Sequence, residues 1–201
     1  MSIFKPKSPT AELEHPHEDP RPTNPAYEEA KKHADKKETD KTFGAWLSSF
    51  WARAGLSLKT IVGASAAWCG LFVFVMNTEV GQQSIKYFPL ARNWAKYGQA
   101  IDWKKNGIPR GAVMHLNHSG NCSAGSGNHV TFADGDCAPQ DLALKGATVP
   151  GFGGNQDNTV KRSNYAVKEV CAVRWPLEIP LPGPITKSVD CSGAPTGGSS
   201  R

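Results

Sequence analysis

A run of nineteen residues without a charge, Thr60 to Thr78, is the feature that most constrains this chain. At about 1.5 Å of rise per residue, a helix of that length nearly matches the thickness of a bilayer core. Its most apolar part is Leu71–Met76, and Lys59 can extend its ammonium group to the interface. A buried helix of a soluble domain is the alternative, but the rest of the chain has little apolar sequence to surround one. We therefore predict one transmembrane helix over 59–78.

Small residues recur on one face of this predicted helix. Gly63, Ala67 and Gly70 fall at helical spacing, a pattern that lets the backbones of two membrane helices approach closely. The alternative is that small residues are merely tolerated there. The pattern predicts a packing surface for a partner helix, and Cys69 beside it is expected to be a free thiol that packs as a small apolar residue.

The cysteines indicate the topology. Four of the five lie after the predicted span and none lies before it: Cys122, Cys137, Cys171 and Cys191. An even set in a glycine-rich segment is typical of an oxidising compartment. We predict two disulfides, for which three pairings are possible; one of them joins Cys171 to Cys191 and Cys122 to Cys137. The N-terminus is then cytoplasmic, and the C-terminal domain is periplasmic on the inner membrane.

Two segments precede the span. Residues 1–42 combine six prolines and dense mixed charge with few aliphatic side chains, which predicts a disordered cytoplasmic tail. In residues 43–58 an apolar stripe of five side chains recurs at helical spacing: Phe43, Trp46, Leu47, Phe50 and Trp51. The stripe predicts an amphipathic helix. It would lie at the membrane interface or form the first turns of the spanning helix.

The remainder of the chain predicts an α+β arrangement. Residues 79–103 show helical spacing interrupted by Pro89, so a kinked amphipathic helix is expected. Residues 104–193 would form a small disulfide-stapled domain, and 194–201 a flexible tail. Within that domain, 117–136 and 146–158 have loop composition. Two alternating segments around a proline-rich loop predict a hairpin whose strands cover 165–175 and 185–191.

Three histidines form the best candidate for a site with chemistry. His115, His118 and His129, with Asp134 and Asp136 nearby, offer zinc-type ligands. No serine, thiol or carboxylate pair stands beside a plausible base, so we predict that the chain is not an enzyme and uses no cofactor. The chain has a net charge of +5 but no long basic run, so nucleic acid is not expected as a partner.

The order of features resembles the TadE-like family of minor pilins, which accompany tight-adherence (Flp) pili. The resemblance covers most of residues 55–190. It implies a membrane-anchored accessory subunit of a pilus. Thr60 stands where prepilins carry glutamate, which favours an accessory protein over a processed pilin. The matching positions are Gly55, Glu79-Val80-Gly81, Leu90-Ala91-Arg92, Tyr97-Gly98, Val173-Arg174-Trp175-Pro176 and Leu181-Pro182-Gly183-Pro184.

The leading hypothesis is a bitopic accessory or scaffold protein of a pilus, conjugation or secretion apparatus. Its partners would be other membrane-protein subunits and the lipid bilayer. The alternative is a supernumerary structural subunit of a large energy-converting membrane complex. A metal-binding envelope protein is the third hypothesis.

We predict that a thiol reagent that cannot cross membranes labels no cysteine of the C-terminal domain until a reductant is added. The reason is that the four cysteines form disulfides in an oxidising compartment. The measurement is labelling of intact cells with and without reduction. Labelling of Cys122 or Cys171 without reductant would contradict the predicted topology or the disulfides.

Overall fold

One antiparallel sheet of six strands organises the residues that the computed structural model describes, 21–53 and 68–191. Strands β2, β3, β4 and β5 form a meander, β6 returns beside β2, and the short β1 pairs with β6, giving the order β1-β6-β2-β3-β4-β5. The strands are β1 Gln99–Ala100, β2 Val113–Asn117, β3 Asn128–Ala133, β4 Thr148–Gln156, β5 Thr159–Ala166 and β6 Val170–Trp175.

Helices cover both faces of the sheet. The longer ones, α2 and α3, and the seven-residue α1 lie on one face, while short helices and the C-terminal segment cover the other. The α-helices are α1 Pro25–Lys31, α2 Lys41–Arg53, α3 Cys69–Glu79, α4 Trp103–Asn106 and α5 Pro139–Leu142; 3₁₀ helices occupy Ala91–Lys96 and Val167–Glu169.

Helix α3 is the centre of the larger core. Leu71, Phe72, Val73, Val75 and Met76 are all 0% exposed, packed among α1, α2, β3 and β4. This corrects the prediction of a transmembrane helix for the half of the apolar run that is described, because the sheet and two helices surround α3. The rest of the run, 59–67, lies outside the described residues. Across 21–53 and 68–191, no helix has both the length and the apolarity that crossing a membrane requires.

Part of the predicted disordered tail is ordered. Asn24 caps α1 by accepting a hydrogen bond of 3.1 Å from the amide of Ala26, and its side-chain amide donates to Gly111 O at 2.8 Å. Pro25 suits the first position of the helix. Tyr27 is buried in the core. Residues 21–42 have too few apolar groups for a core of their own. The apolar side chains of the capped helix α1 instead join the core formed by α2, α3 and the sheet.

The aromatic stripe of residues 43–58 packs against the protein core. Phe43, Leu47, Phe50 and Trp51 of α2 are buried against the same core as α3. The ring of Trp51 lies 5.7 Å from that of Phe88, measured between centroids. An amphipathic helix was correctly predicted, but its apolar face packs on protein rather than on lipid. Residues 54–58 lie outside the described residues.

The second face of the sheet has its own core. Met114, Leu116, Val149, Val173 and Trp175 are buried there beneath α4, α5 and the segment after β6. Because both faces are covered, β2 is buried along its whole length. Alternation of apolar and polar residues is therefore absent from β2, and periodicity gave no signal for it.

Several predicted boundaries in the C-terminal part are wrong. The kinked helix over 79–103 is an irregular segment containing one 3₁₀ helix and β1. The segments 117–136 and 146–158, predicted as loops, contain β3 and β4. The strand predicted over 165–175 is broken by a 3₁₀ turn, and 185–191 forms only an isolated bridge between Val189 and Asp136.

Glycines in β4 explain why its composition resembled a loop. A Cβ atom on Gly151 would lie 2.7 Å from Thr131 Cγ2, and one on Gly154 would lie 2.3 Å from the ring of Trp68. Such separations are well below van der Waals contact. Glycine is therefore used in this strand because neighbouring side chains approach the backbone.

We predict that Gly154→Ala lowers the free energy of unfolding by about 1–3 kcal/mol, because the new methyl group overlaps Trp68 and Phe72. Chemical denaturation followed by tryptophan fluorescence measures the change. Gly183→Ala is the matched control, since nothing lies within 4 Å of a Cβ at that position. Equal stability of the two variants would contradict the packing described for α3 and β4.

Candidate functional site

Two disulfides join distant parts of the chain. Cys122 is bonded to Cys171 and Cys137 to Cys191, each with 5.3 Å between the Cα atoms. The first bridge ties the β2–β3 loop to β6, and the second ties the segment after β3 to residue 191. The prediction that all four cysteines are paired is confirmed, and two bridges are typical of an oxidising, extracytoplasmic compartment. Of the three pairings that the sequence left open, the one joining Cys171 to Cys191 is not formed, and 185–191 does not pair with β6.

The three candidate metal ligands do not converge. His115 pairs in register with Val130, and Leu116 pairs with His129, so His115 and His129 point to opposite faces of the sheet. His115 lies on the face covered by α3, where its Nε2 is 2.9 Å from Asn128 Oδ1. No group of three or more His, Cys, Asp or Glu side chains within the described ranges is placed to hold a metal ion.

His129 instead belongs to a stack of rings on the second face. Its ring centroid lies 6.1 Å from that of His118 and 5.6 Å from that of Tyr165. His118 Nδ1 is 3.1 Å from Glu169 Oε2 at the exposed end of the stack. His129 is only 6% exposed, and its Nε2 is buried without a hydrogen-bond partner. Burial first, and the charge of His118 second, lower the pKa of His129 to about 3.

The two aspartates proposed as further ligands are held by arginines. Arg162 Nε lies 3.2 Å from Asp134 Oδ2, and Arg21 Nη2 lies 3.1 Å from Asp136 Oδ2. Tyr27 of α1 donates its hydroxyl to Asp134. Both carboxylates are therefore fully engaged in ion pairs and hydrogen bonds rather than presented to a cation.

A third pair completes this arrangement. Arg110 Nη2 lies 2.6 Å from Asp190 Oδ2, and the backbone amide of Arg110 donates to Asp136 at 2.8 Å. We call the set the clasp: Arg21, Tyr27, Arg110, Asp134, Asp136, Arg162 and Asp190. It joins five segments: the N-terminal part, the segment before β2, the end of β3, β5 and the end of the described C-terminal part.

A cavity of about 310 Å³ lies beside the clasp. Arg21, Tyr27, Arg110, Asp136 and Val189 contribute to its wall. The wall contains two arginines, Arg21 and Arg110, and two carboxylates, Glu28 and Asp136, so its charges balance. The cavity wall therefore has no net charge that would favour an anion or a cation. The charged groups of the clasp instead connect five segments of the chain.

The predicted helix-packing face is used within the chain at the one position that is described. A Cβ atom on Gly70 would lie 2.1 Å from Phe88 O and 3.2 Å from Trp94 Nε1. Glycine at this position lets the backbone of residues 88–89 rest on α3. Gly63 and Ala67 lie outside the described residues.

Sequence reasoning missed the clasp. Its members are scattered from Arg21 to Asp190, so no local motif marks them. The sequence signal is limited to the pair Asp134 and Asp136, which the sequence groups with the histidines as zinc-type ligands. Arginine pairing across long sequence separations becomes visible only when the sheet topology is known.

We predict that the stability of the protein falls as pH decreases from about 6.5 towards about 3, and that His129→Phe reduces this dependence. Because the folded pKa of His129 is about 3 and its ordinary value is 6.5, the unfolded state binds more protons in that interval. The slope contributed by one such group is at most about 1.4 kcal/mol per pH unit. Denaturation at several pH values measures it, and an unchanged slope in His129→Phe would contradict the buried neutral imidazole.

Comparison with known proteins supplies no precedent for this arrangement. No family model matches the sequence, and neither a curated protein nor a solved structure is significantly similar to it. A functional assignment for this chain therefore depends on its own geometry: two long-range disulfides, the buried neutral imidazole of His129, and a clasp of arginine–carboxylate pairs.

Proposed function

We propose that this chain is an extracytoplasmic accessory protein of an envelope apparatus, such as a pilus, conjugation or secretion machine, and that it acts by packing against other protein subunits. A reaction is not part of the proposal. The single observation that carries it is the use of the charged groups: the clustered carboxylates are bound to arginines that connect chain segments. Groups used in this way stabilise a shape and are not available for proton transfer.

The disulfides support the same proposal. Bridges spanning 49 and 54 residues fix the β2–β3 loop and residue 191 to the sheet. Cross-links over long loops restrict the unfolded chain strongly, which suits a subunit that must keep its shape outside the cell's reducing compartment. The buried His129 has a similarly structural environment, since it stays neutral inside a ring stack.

The resemblance to TadE-like minor pilins also gives support, because two of its matching pieces are in contact. Arg174 of β6 donates through Nη2 to Gly98 O at 3.2 Å. A Cβ atom on Gly98 would lie 2.0 Å from Trp175 O, so glycine permits the close approach. The Tyr97-Gly98 and Arg174-Trp175 pieces therefore lie side by side in the fold, which is compatible with the proposal.

We expect the full chain, purified from its own cells in mild detergent, to bring down subunits of one envelope apparatus in fixed stoichiometry. Mass spectrometry of the co-purifying chains is the measurement. His118→Ala, which changes an exposed side chain at the end of the ring stack, should leave the set of partners unchanged. Loss of the partners in that variant would contradict packing as the mode of action and would favour a role for the imidazole.

The identity of the partners also separates the two structural hypotheses. Recovery with pilus, conjugation or secretion subunits supports the proposal. Recovery with haem- or flavin-containing subunits would replace it with the alternative, a supernumerary subunit of an energy-converting complex. Recovery of the chain alone, under conditions that preserve other envelope complexes, would contradict both.

A further inference from the structure

Exposed apolar side chains are concentrated in two segments that contact each other next to β1 and β6. Of the six large hydrophobic residues that are well exposed in the described ranges, four lie in two segments, 83–106 and 176–184. Tyr87 is 64% exposed, Leu177 60%, Leu90 50% and Leu181 49%. We call the exposed part of these two segments, the first of which contains β1, the edge surface.

The two segments are in direct contact. The amide of Gln83 donates to Glu178 Oε1 at 3.0 Å, and Gln99 Nε2 donates to Pro176 O at 3.0 Å. A cavity of about 190 Å³ between them is lined by Ile85, Lys96 and Leu177, among others. The apolar side chains of the edge surface are therefore carried by one continuous piece of structure that β1 and β6 hold in place.

The same surface is basic. Residues 83–106 contain five Lys or Arg and one acidic residue, and 176–184 contain one acidic residue, so the net charge is 5 − 2 = +3. The basic residues are Lys86, Arg92, Lys96, Lys104 and Lys105, all of them exposed. None of the five forms an ion pair with a residue in the described ranges.

Lysine also accompanies aromatic rings at this surface. Lys86 Nζ lies 5.6 Å from the ring centroid of Tyr87, and Lys104 Nζ lies 5.6 Å from that of Trp103. An aromatic ring with an adjoining ammonium group fits the headgroup region of a bilayer, where the ring meets the acyl boundary and the charge meets phosphate.

From these observations we infer that the edge surface docks on an anionic lipid surface. Leu177, Leu181, Tyr87 and Leu90 enter the interface, and the surrounding lysines bind acidic headgroups. Apolar area and basic charge each add to membrane affinity, so the two together bind where either alone would be weak. The contact is peripheral and needs no membrane-spanning helix. It does not depend on the proposed accessory function, because it concerns this chain and lipid alone.

The test is co-sedimentation of the purified full chain with vesicles. Phosphatidylcholine vesicles containing phosphatidylglycerol should bind the protein, and pure phosphatidylcholine vesicles should bind it much less. The double variant Leu177→Ser, Leu181→Ser should lower the partition coefficient about tenfold, since two exposed apolar side chains are lost from the contact. Lys96→Glu should weaken binding to the anionic vesicles and reduce its dependence on salt.

Matched controls are available in the turn after α5. The exposed fraction of Leu144 is 52%, close to the 49% of Leu181. Leu144 precedes Lys145 in a turn that leads into β4. Leu144→Ser and Lys145→Glu should bind vesicles like the unchanged protein. Because all the substituted side chains are exposed, each variant should keep its disulfides and its melting temperature.

Three results would overturn the inference. The first is failure of the unchanged protein to bind anionic vesicles, and the second is equal loss of binding in Leu144→Ser. The third is loss of a co-purifying protein, without loss of vesicle binding, in the Leu177→Ser, Leu181→Ser variant; the edge surface would then be a site for a protein partner. Since the vesicle assay uses the purified chain alone, its failure leaves the accessory function to be judged by its own experiment.

Discussion

Burial of α3 is the constraint on which the rest of the structure depends. Five of its side chains are fully enclosed: Leu71, Phe72, Val73, Val75 and Met76. At about 1.5–3 kcal/mol for each buried aliphatic or aromatic side chain, their burial contributes on the order of 10 kcal/mol. That is comparable with the whole net stability of a typical domain. The sheet, α1 and α2 pack around this helix and exclude water from it.

The covering elements come from distant parts of the sequence, so something must hold them in place. Tyr27 places α1 over the sheet, and its hydroxyl meets Asp134 at the end of β3. Arg162 reaches the same carboxylate from β5. The clasp thus fixes α1, which has only seven residues and would not be stable alone. Apolar burial supplies most of the stability, and the ion pairs of the clasp connect segments that the core has brought together.

The sequence predicted features that depend on local spacing and composition, and it did not predict contacts between distant segments. The amphipathic character of α2 and the pairing of all four cysteines are encoded in spacing and composition, and both were recognised. The described part of the apolar run does form an apolar helix, but protein surrounds it in place of lipid, because no periodicity shows that β3 and the glycine-rich β4 would supply the surface that buries α3. Gly154 shows the reason most directly: in sequence it indicates a loop, whereas in the fold it admits the ring of Trp68. His115 and His129 were grouped because they are close in sequence, although their side chains lie on opposite faces of the sheet.

The order of the bridged cysteines along the chain has a consequence for how the protein matures. The bonds interleave: the first cysteine of the four pairs with the third, and the second with the fourth. During export from the N-terminus, Cys122 and Cys137 would emerge together, and oxidation at that stage would join the wrong partners. Neither native bond can form until β6 is present, and the second needs residue 191. Correct oxidation therefore requires the thiols to remain reduced until Cys191 has crossed, or an isomerase to exchange an early wrong bond through attack by a free thiolate.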